Sequence, residues 1–148
     1  MFIHEKALCE SKNVGEGTRI WPFAHVMSGA IIGKNCNVGE HSFIESGAII
    51  GNSVTIKNAV SVWDKVEIKD QVFIGPNVVF TNDLFPRAFN KLNSNDLIKT
   101  TINLGATIGA NATIICGISV GEYSFIGAGS VVTRSVKNFE MVFGNPAK

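Results

Sequence analysis

The chain carries a hydrophobic position that returns every six residues. An aliphatic or aromatic residue fills this position from Val14 to Phe80 without a miss, and the pattern resumes from Ile102 to Val132. Four places after each of these residues comes a compact one, in a second series that runs from Thr18 to Val136. A period of six fits neither an amphipathic helix nor an alternating strand, and it is typical of the hexapeptide repeats that build a parallel β-helix.

Each hexad divides into a short strand and a turn. The side chains of the fourth, fifth and sixth residues after the apolar position point inward, outward and inward, as in a short strand. The three residues that separate one such strand from the next are rich in Gly, Asn, Asp and Lys, which favour turns. Three such strands close a triangular coil of about eighteen residues. The sequence therefore predicts an all-β fold, a parallel β-helix of about six coils, in a single domain over residues 1–148. The general rule for parallel crossovers favours a right-handed coil.

The repeat is interrupted once, between Phe80 and Ile102, where the next apolar position comes roughly sixteen residues late. A long loop, about residues 81–99, is expected to replace one turn, and long loops in compact domains are usually functional or disordered. It opens with Thr81-Asn82-Asp83-Leu84-Phe85-Pro86-Arg87, which is apolar enough to dock on another surface, and continues with a polar stretch over 90–96.

Residues eighteen apart should be vertical neighbours on the column. The corner that bears the loop is then expected to carry the turns 27–29, 45–47, 63–65, 81–83, 115–117 and 133–135. The wall that leads into this corner presents Phe43, Val79 and Val131 outward, which predicts burial against another subunit. A symmetric trimer, with a cleft where the loop meets a neighbour, is the natural hypothesis, although the sequence does not fix the number of subunits.

Composition narrows the possible partners and location. The net charge is +1 and no run of Lys or Arg occurs, so nucleic acids and anionic membranes are poor candidates. The N-terminal stretch has no apolar run of signal-peptide length, and no segment is long enough to span a bilayer, so we expect a cytoplasmic protein. The three cysteines lack metal-site spacing, and Cys36 fills an inward slot as a small apolar residue.

Several motifs resemble a known group of enzymes. The loop that opens with Phe-Thr-Asn, the runs 105–114 and 127–133, and the closing 144–148 are similar to the left-handed β-helix acyltransferases. Within that superfamily the chain resembles bacterial nucleotide-sugar N-acetyltransferases. The segment 80–87 is most similar to members that acetylate dTDP-linked 3-amino-3,6-dideoxyhexoses, and it also resembles the acetyltransferase part of fused ketoisomerase/acetyltransferase proteins.

This resemblance implies several properties. It implies a left-handed coil, acetyl-CoA as co-substrate, no metal, and a homotrimer with active sites between subunits. It also implies transfer of acetyl to a sugar 3-amino group in nucleotide-sugar, O-antigen or S-layer glycan biosynthesis. Two departures stand out. A second histidine that relatives carry after Trp21 is replaced by Pro22, and the chain stops at Lys148, where relatives usually continue into a tail or another domain. A C-terminal truncation is therefore one interpretation.

The resemblance assigns acceptor contacts to the start of the loop. Asn82 would contact the acceptor amine, and because an amide cannot usefully accept a proton, its role would be orientation. Asp83 would support the ammonium group, and Arg87 would pair with the diphosphate because a planar guanidinium suits phosphate oxygens. The alternatives are that Asn82 and Asp83 only cap turns and that Arg87 is a solvent-exposed loop residue.

Other residues of the acceptor side follow from chemistry and position. His25 is the general-base candidate by residue type, but it should lie about three coils from Asn82, on the order of 14 Å, which favours an interface or acceptor-binding role. Trp63 starts an exposed turn and would stack on the sugar or thymine, or be covered by a neighbouring subunit. Asp64 would bind sugar hydroxyls, whereas Glu45 should be too far from the amine.

The coils beyond Asn82 are assigned to the acyl donor. Gly117 would permit close approach of pantetheine, and small turns would hydrogen-bond its amides, unless these turns only serve the β-helix corners. Basic side chains would bind the nucleotide phosphates. The cofactor-binding candidates are Ala110, Gly117, Ala128, Arg134 and Lys148. Cys116 is not expected to act as a covalent nucleophile, because no base is evident beside it.

Alternative functions remain open at this point. One is acetylation of a UDP-amino sugar or of another small acceptor, such as serine or an antibiotic. A second is a metal-dependent, carbonic-anhydrase-like β-helix, which should present several outward histidines at one cleft; His25 and His41 instead lie on different corners and His4 before the first coil. A third is a structural β-helix without activity, and the long loop speaks against it.

Overall fold

The computed structural model describes all residues, Met1–Lys148, and consists of twenty short strands joined by turns. Apart from one 3₁₀ turn, Ser94–Asp96, it contains no helix. The strands are β1 (Phe2–Ile3), β2 (Leu8–Cys9), β3 (Arg19–Ile20), β4 (His25–Val26), β5 (Ile31–Ile32), β6 (Asn37–Val38), β7 (Phe43–Ile44), β8 (Ile49–Ile50), β9 (Thr55–Ile56), β10 (Ser61–Val62), β11 (Val66–Ile68), β12 (Phe73–Ile74), β13 (Val79–Phe80), β14 (Thr100–Ile102), β15 (Thr107–Ile108), β16 (Thr113–Ile114), β17 (Ser119–Val120), β18 (Phe125–Ile126), β19 (Val131–Val132) and β20 (Met141–Val142).

The strands form three parallel sheets, one for each wall of a three-sided coil. Face A contains β1, β3, β6, β9, β12, β15, β18 and β20; face B contains β2, β4, β7, β10, β13, β16 and β19; face C contains β5, β8, β11, β14 and β17. Each strand pairs with the strand one coil away, so that Arg19 lies opposite Asn37 and Asn37 opposite Thr55. The predicted parallel β-helix with a vertical repeat of eighteen residues is confirmed, and it agrees with the left-handed β-helix expected from the resemblance.

The core is one continuous column of inward side chains. Most residues of both inward series are almost completely inaccessible to solvent, as are Ile20 and Ile44 of the first series and Ala24 and Ala48 of the second. Where the second series is polar, main-chain carbonyls satisfy the hydroxyl groups: Thr18 Oγ1 donates to Gly33 O at 2.7 Å. Burial of apolar side chains in such a column stabilises by about 25 cal/mol per Å² removed from water, which explains why the inward slots accept so few residue types.

Both ends of the column differ from the prediction because their turns are shorter. The segment between Cys9 and Val14 has one residue fewer than the usual turn, so the sequence pattern missed a first coil that contains β1 and β2, and His4 belongs to this coil. At the other end Val136 pairs with Val120. Val136 is therefore buried in the first inward series, and its prediction for the second series was wrong. When the bridge residues Val14 and Val136 are counted with its five strands, face C has seven stacked segments, the same number as face B. The column therefore has more coils than the six expected.

Candidate active site

The long loop leaves the column at the corner between faces B and C. Asn82 is the last residue before it, and the Ile98 N–H donates to Asn82 O at 2.9 Å, which closes the neck of the loop. The chain re-enters face C where Thr100 pairs with Val66. Thr81 and Lys99 still belong to the coil, so the loop proper covers residues 83–97, slightly less than the expected 81–99. The position above Lys65 on this corner is taken by Lys99 rather than by Asp83.

The corner carries the expected vertical series. The register of face B places Asn82 above Asp64, and Cys116 and Arg134 above Asn82. Gly117 follows Cys116 in the same turn, so the donor and acceptor candidates Gly117, Arg134 and Asn82 share one edge of the prism.

A groove of about 540 Å³ lies on this edge, and we call it the corner groove. It is lined by Met27, Glu45, Ser46, Trp63, Asp64, Asn82, Ser94 and Leu97. The Asn82 Nδ2 group donates to Asp64 O at 3.1 Å, and the Ser94 hydroxyl donates to the Asp64 carboxylate. An amide nitrogen only donates, and Asn82 Oδ1 makes no hydrogen bond within the protein, so Oδ1 is the atom of this side chain that can accept a hydrogen bond from a ligand.

Glu45 reaches the same groove from one coil below Asp64. Its Oε2 atom accepts a hydrogen bond from the Asp64 N–H at 2.7 Å. Glu45 was expected to lie too far from the acceptor amine because coils were counted; its side chain nevertheless extends up to Asp64 and lines the groove that Asn82 also lines. Glu45 and Asn82 thus bind the two main-chain groups of Asp64: Glu45 accepts a hydrogen bond from its N–H, and Asn82 donates one to its carbonyl oxygen.

A second groove, about 460 Å³, lies under the loop, and we call it the loop groove. It is lined by Asn82, Asp83, Pro86, Arg87, Ala88, Asn90, Lys91, Leu92 and Leu97. Asn82 and Leu97 belong to both grooves, so the two are adjacent. Asp83 Oδ1 accepts from the Phe85 N–H at 2.9 Å, as the turn-capping alternative expected, and Arg87 Nη1 donates to Pro86 O at 3.0 Å. Arg87 and Lys91 give the loop groove a cationic side.

The loop is fixed at its base by an ion-pair cluster on face C. The Glu67 carboxylate contacts the ammonium groups of Lys69 and Lys99. Hydrogen bonds from Lys69 first, and from Lys99 second, hold the pKa of Glu67 below its usual value. Lys99 is the residue with which the chain returns from the loop, so this cluster ties the end of the loop to the column.

Trp63 is half-buried rather than exposed, which corrects the expectation of an exposed turn. Its Nε1 group donates to Phe80 O at 2.9 Å, and its ring packs on Phe43 with 5.7 Å between ring centroids. These contacts with Phe80 and Phe43 fix the indole, and the rest of its surface lines the corner groove. Phe43 is half-buried as well, because it packs between Trp63 and His25.

His25 lies on face B, three strands below the strand that precedes Asn82. Its Nε2 atom is 2.8 Å from Glu10 Oε2, and its ring contacts Phe43 edge-on at 5.3 Å between centroids. It does not line the corner groove or the loop groove. The structure therefore does not bring His25 together with Asn82 within one chain.

The donor candidates occupy two edges of face B. On the edge of the corner groove, Gly117 has φ +86°, and a Cβ atom there would be 3.1 Å from Ile98 Cγ2, so the returning loop packs closely against it. The Arg134 Nη2 group pairs with Glu140 Oε1 at 3.3 Å. Ala110 and Ala128 lie on the opposite edge, in the turns between faces A and B, and the Lys148 N–H donates to Phe143 O at the last turn of the chain.

The residues that sequence reasoning missed include Glu45 in the corner groove, Ser94 and Leu97 of the loop, and Lys91, which adds positive charge to the loop groove. Ser94 and Leu97 stand in the aperiodic loop, where no repeat predicts the partner of a side chain. The structure contains no group of three or more His, Cys, Asp or Glu side chains that could hold a metal ion. None of its helical segments has the length and apolar character needed to cross a membrane.

The three-sided parallel coil with one long loop at a corner defines a hexapeptide-repeat β-helix protein. The sequence model of the family described as "Bacterial transferase hexapeptide (six repeats)" matches residues 11–46 and 99–134. The dTDP-3-amino-3,6-dideoxy-alpha-D-galactopyranose 3-N-acetyltransferase of Aneurinibacillus thermoaerophilus is 49% identical over 99% of this chain and 76% of its own length. The chain belongs to the hexapeptide-repeat acyltransferases, in the group of nucleotide-sugar N-acetyltransferases.

Solved structures share the fold. The acetyltransferase domain of PglB from Neisseria gonorrhoeae, in complex with acetyl coenzyme A, superposes with a TM-score of 0.76 at 25% identity, over 89% of this chain and 57% of that one. PerB from Caulobacter crescentus, in complex with CoA and GDP-perosamine, has a TM-score of 0.55 at 22% identity, over 99% of this chain and 55% of that one. The chain thus spans a little more than half the length of these two solved chains.

Proposed function

We propose that the protein is an acetyl-CoA-dependent N-acetyltransferase that acts on the 3-amino group of a dTDP-linked 3-amino-3,6-dideoxyhexose. The observation that carries this proposal is the 49% identity, over nearly the whole chain, with an enzyme of that name. The corner groove supports it, because it offers a hydrogen-bond acceptor, a half-buried indole and hydroxyl groups at the root of the loop. Groups of this kind suit a sugar ring.

The acceptor sugar would occupy the corner groove. In this arrangement Asn82 Oδ1 accepts a hydrogen bond from the amine, Trp63 packs against the ring, and Asp64 binds a hydroxyl group. Asp83 supports the positive charge of the amine from the loop side. The diphosphate lies in the adjacent loop groove, where Arg87 and Lys91 supply positive charge.

The donor would run along the coils beyond Asn82, with its thioester near Gly117 and its phosphates near Arg134. Ala110, Ala128 and Lys148 are on the other edge of face B, so they join the same donor groove only if a second subunit supplies them. This geometry supports a homotrimer with active sites between subunits. His25, on the same face, would then serve the subunit interface or the acceptor of a neighbouring site.

In the reaction, the amine nitrogen attacks the thioester carbonyl, the amide bond forms, and the carbon–sulfur bond breaks. One amine proton ends on the departing thiolate, which gives the amide and free CoA. No histidine lies at the corner, so the main source of rate enhancement is that amine and thioester are held together, an effect that is worth several orders of magnitude in well-oriented reactions. We place the reaction in the cytoplasm, in the biosynthesis of nucleotide sugars for O-antigen or S-layer glycans.

A panel of acceptors tests the proposal. The protein would be incubated with acetyl-CoA and with dTDP- or UDP-linked sugars that bear an amino group at C3 or at C4, while free thiol is measured. We expect release of CoA with the dTDP-linked 3-amino sugars and a much lower kcat/KM with the others. The proposal is wrong if no dTDP-linked 3-amino sugar is acetylated, or if a UDP-linked sugar is preferred.

A further inference from the structure

Glu45 is one of the two charged groups of the corner groove, and like Asp64 it has no cationic partner and one side-chain hydrogen bond. Its Oε2 atom accepts from the Asp64 N–H, and it takes part in none of the four ion pairs of the protein. The Asp64 carboxylate accepts its one hydrogen bond from Ser94, and its Oδ1 atom packs over Gly47, where a Cβ atom would be 2.2 Å away. Glu45 Oε1 makes no hydrogen bond within the protein, so it is free to accept one from a ligand in the corner groove.

The corner groove and the loop groove differ in the sign of their charged side chains. The corner groove contains two carboxylates, Glu45 and Asp64, and no Lys or Arg side chain. The loop groove contains the cations Arg87 and Lys91 with the single carboxylate of Asp83. A ligand that is positive at one end and negative at the other fits across the two grooves in one orientation only, with Asn82 at the boundary.

We propose that Glu45 binds the acceptor amino group through its negative charge, and that it thereby selects a sugar with an amine over one with a hydroxyl group at the same carbon. The inference rests on the proposed function and names a specificity-determining residue for it. Asn82 Oδ1 accepts one N–H of the amine, and Glu45 Oε1 accepts another. Both atoms are oriented by the same residue, because Glu45 holds the N–H of Asp64 and Asn82 holds its carbonyl group.

The charge of Glu45 acts at two stages. An alkyl amine reaches the groove mainly as an ammonium ion at neutral pH, and a hydrogen bond between charged groups is stronger than one between neutral groups. The ammonium ion loses one proton to water before it can attack, and during attack on the thioester the amine nitrogen again acquires positive charge. A fixed carboxylate beside it stabilises that charge where it develops, and such interactions raise the rate.

Glu45→Gln removes the negative charge of this side chain and leaves the fold unchanged. The glutamine Oε1 atom can still accept from the Asp64 N–H, so the turn and Asn82 keep their positions, which the thermal midpoint Tm would confirm. We expect kcat/KM for the dTDP-linked 3-amino sugar to fall roughly tenfold or more, as for loss of a charged hydrogen bond, while KM for acetyl-CoA stays within about twofold. Glu40→Gln is the matched control, since Glu40 is exposed on the corner between faces A and B and makes no side-chain hydrogen bond.

A binding experiment supplies the second readout. Calorimetry in the presence of CoA would compare the dTDP-linked 3-amino sugar with its 3-hydroxy analogue. We expect the wild type to prefer the amine and Glu45→Gln to lose most of that preference. The inference is overturned if the variant keeps wild-type turnover and preference, or if it loses both ligands equally. If the wild-type protein binds neither sugar, the proposed function is contradicted together with this inference. If the wild type is active and the Glu45→Gln variant is equally active, this inference alone is contradicted.

Discussion

At the scale of single residues, Asn82 joins the two grooves. Its amide nitrogen is used within the protein, on Asp64 O, and its amide oxygen is free. A side chain held in this way presents an acceptor atom in a fixed direction, which lowers the cost of orienting the amine. We therefore propose that Asn82 orients the amine and does not take up its proton.

Removal of this side chain should affect the acceptor more than the donor. We expect Asn82→Ala to lower kcat/KM for the amino sugar by about 10- to 100-fold and to change KM for acetyl-CoA little. Asn58→Ala, in an exposed turn between faces A and B, is the control and should behave as the wild type. A fully active Asn82→Ala variant would show that the acceptor site is misplaced.

Glu67 makes a separate prediction for stability. Its folded pKa is lowered by Lys69 and Lys99, so the stabilisation is present above the ordinary value of 4.5 and is lost as the pH falls through the lowered value. Glu67→Gln should reduce the free energy of unfolding by about 0.5–1 kcal/mol at pH 7 and by less at an acidic pH below the ordinary pKa of a glutamate. Urea unfolding at both pH values measures this, with the exposed Glu16→Gln as control. An equal loss at both pH values would mean that the charge of Glu67 is not the cause.

Residue roles could be predicted only where the repeat or the resemblance fixed a position. Asn82, Gly117 and Arg134 were correctly placed on one edge because residues eighteen apart are stacked. Glu45 could not be found in this way, since its reach to Asp64 depends on side-chain length and rotamer. The half-burial of Trp63 was missed because its partner, Phe80 O, lies one coil higher and has no sequence signal.

At the scale of elements, the loop matters most. It is fixed at its neck by Ile98 and Asn82, at its base by Lys99 and Glu67, and in its middle by Ser94 and Asp64. The first two contacts follow from the re-entry of the chain into face C. The third comes from the folded shape of the loop and forms one side of the corner groove.

Loss of the middle contact should loosen the loop. We expect Ser94→Ala to be cleaved several-fold faster by trypsin after Arg87 and Lys91, because opening of the loop no longer breaks the hydrogen bond to Asp64, a contact worth about 1 kcal/mol. Asn95→Ala, in the same 3₁₀ turn but without a side-chain hydrogen bond, is the control. Equal cleavage of both variants would contradict a specific role of Ser94.

Strands were the most predictable elements, because a column of this width accepts only apolar or small residues inside. The three-residue turns followed from the same count. The shorter turns at both ends were missed, since losing one or two residues shifts the pattern without changing the fold. The position of the loop was visible as an interruption, whereas its conformation was not, because it has no period.

At the scale of the whole molecule, face B links the two edges that carry the site candidates. Its outward residues include Val79, which is 50% exposed, beside half-buried Val131 and Phe43. Burial of this wall by a neighbour would bring the turns with Ala110 and Ala128 to the edge with Gly117. Exposed loop residues such as Phe85 and Phe89 would be covered in the same contact.

A charge placed on this wall should prevent assembly. We expect the wild type to sediment as a trimer and Val79→Lys to sediment as a monomer and to lose acetyltransferase activity, because a buried unpaired charge is costly. Phe73→Lys, at an outward position of face A, is the matched control and should remain trimeric. Analytical ultracentrifugation decides between them, and a trimeric Val79→Lys protein would exclude face B as the interface.

The central claim is that donor and acceptor meet at one edge of the prism, beside Asn82. A crystal structure with CoA and the dTDP-linked 3-amino sugar measures this directly. We predict that the sugar nitrogen lies within hydrogen-bond distance of Asn82 Oδ1, with the CoA sulfur next to it and the diphosphate toward Arg87. A sugar nitrogen bound at another edge, or a sulfur on a different corner from Asn82, would contradict the account.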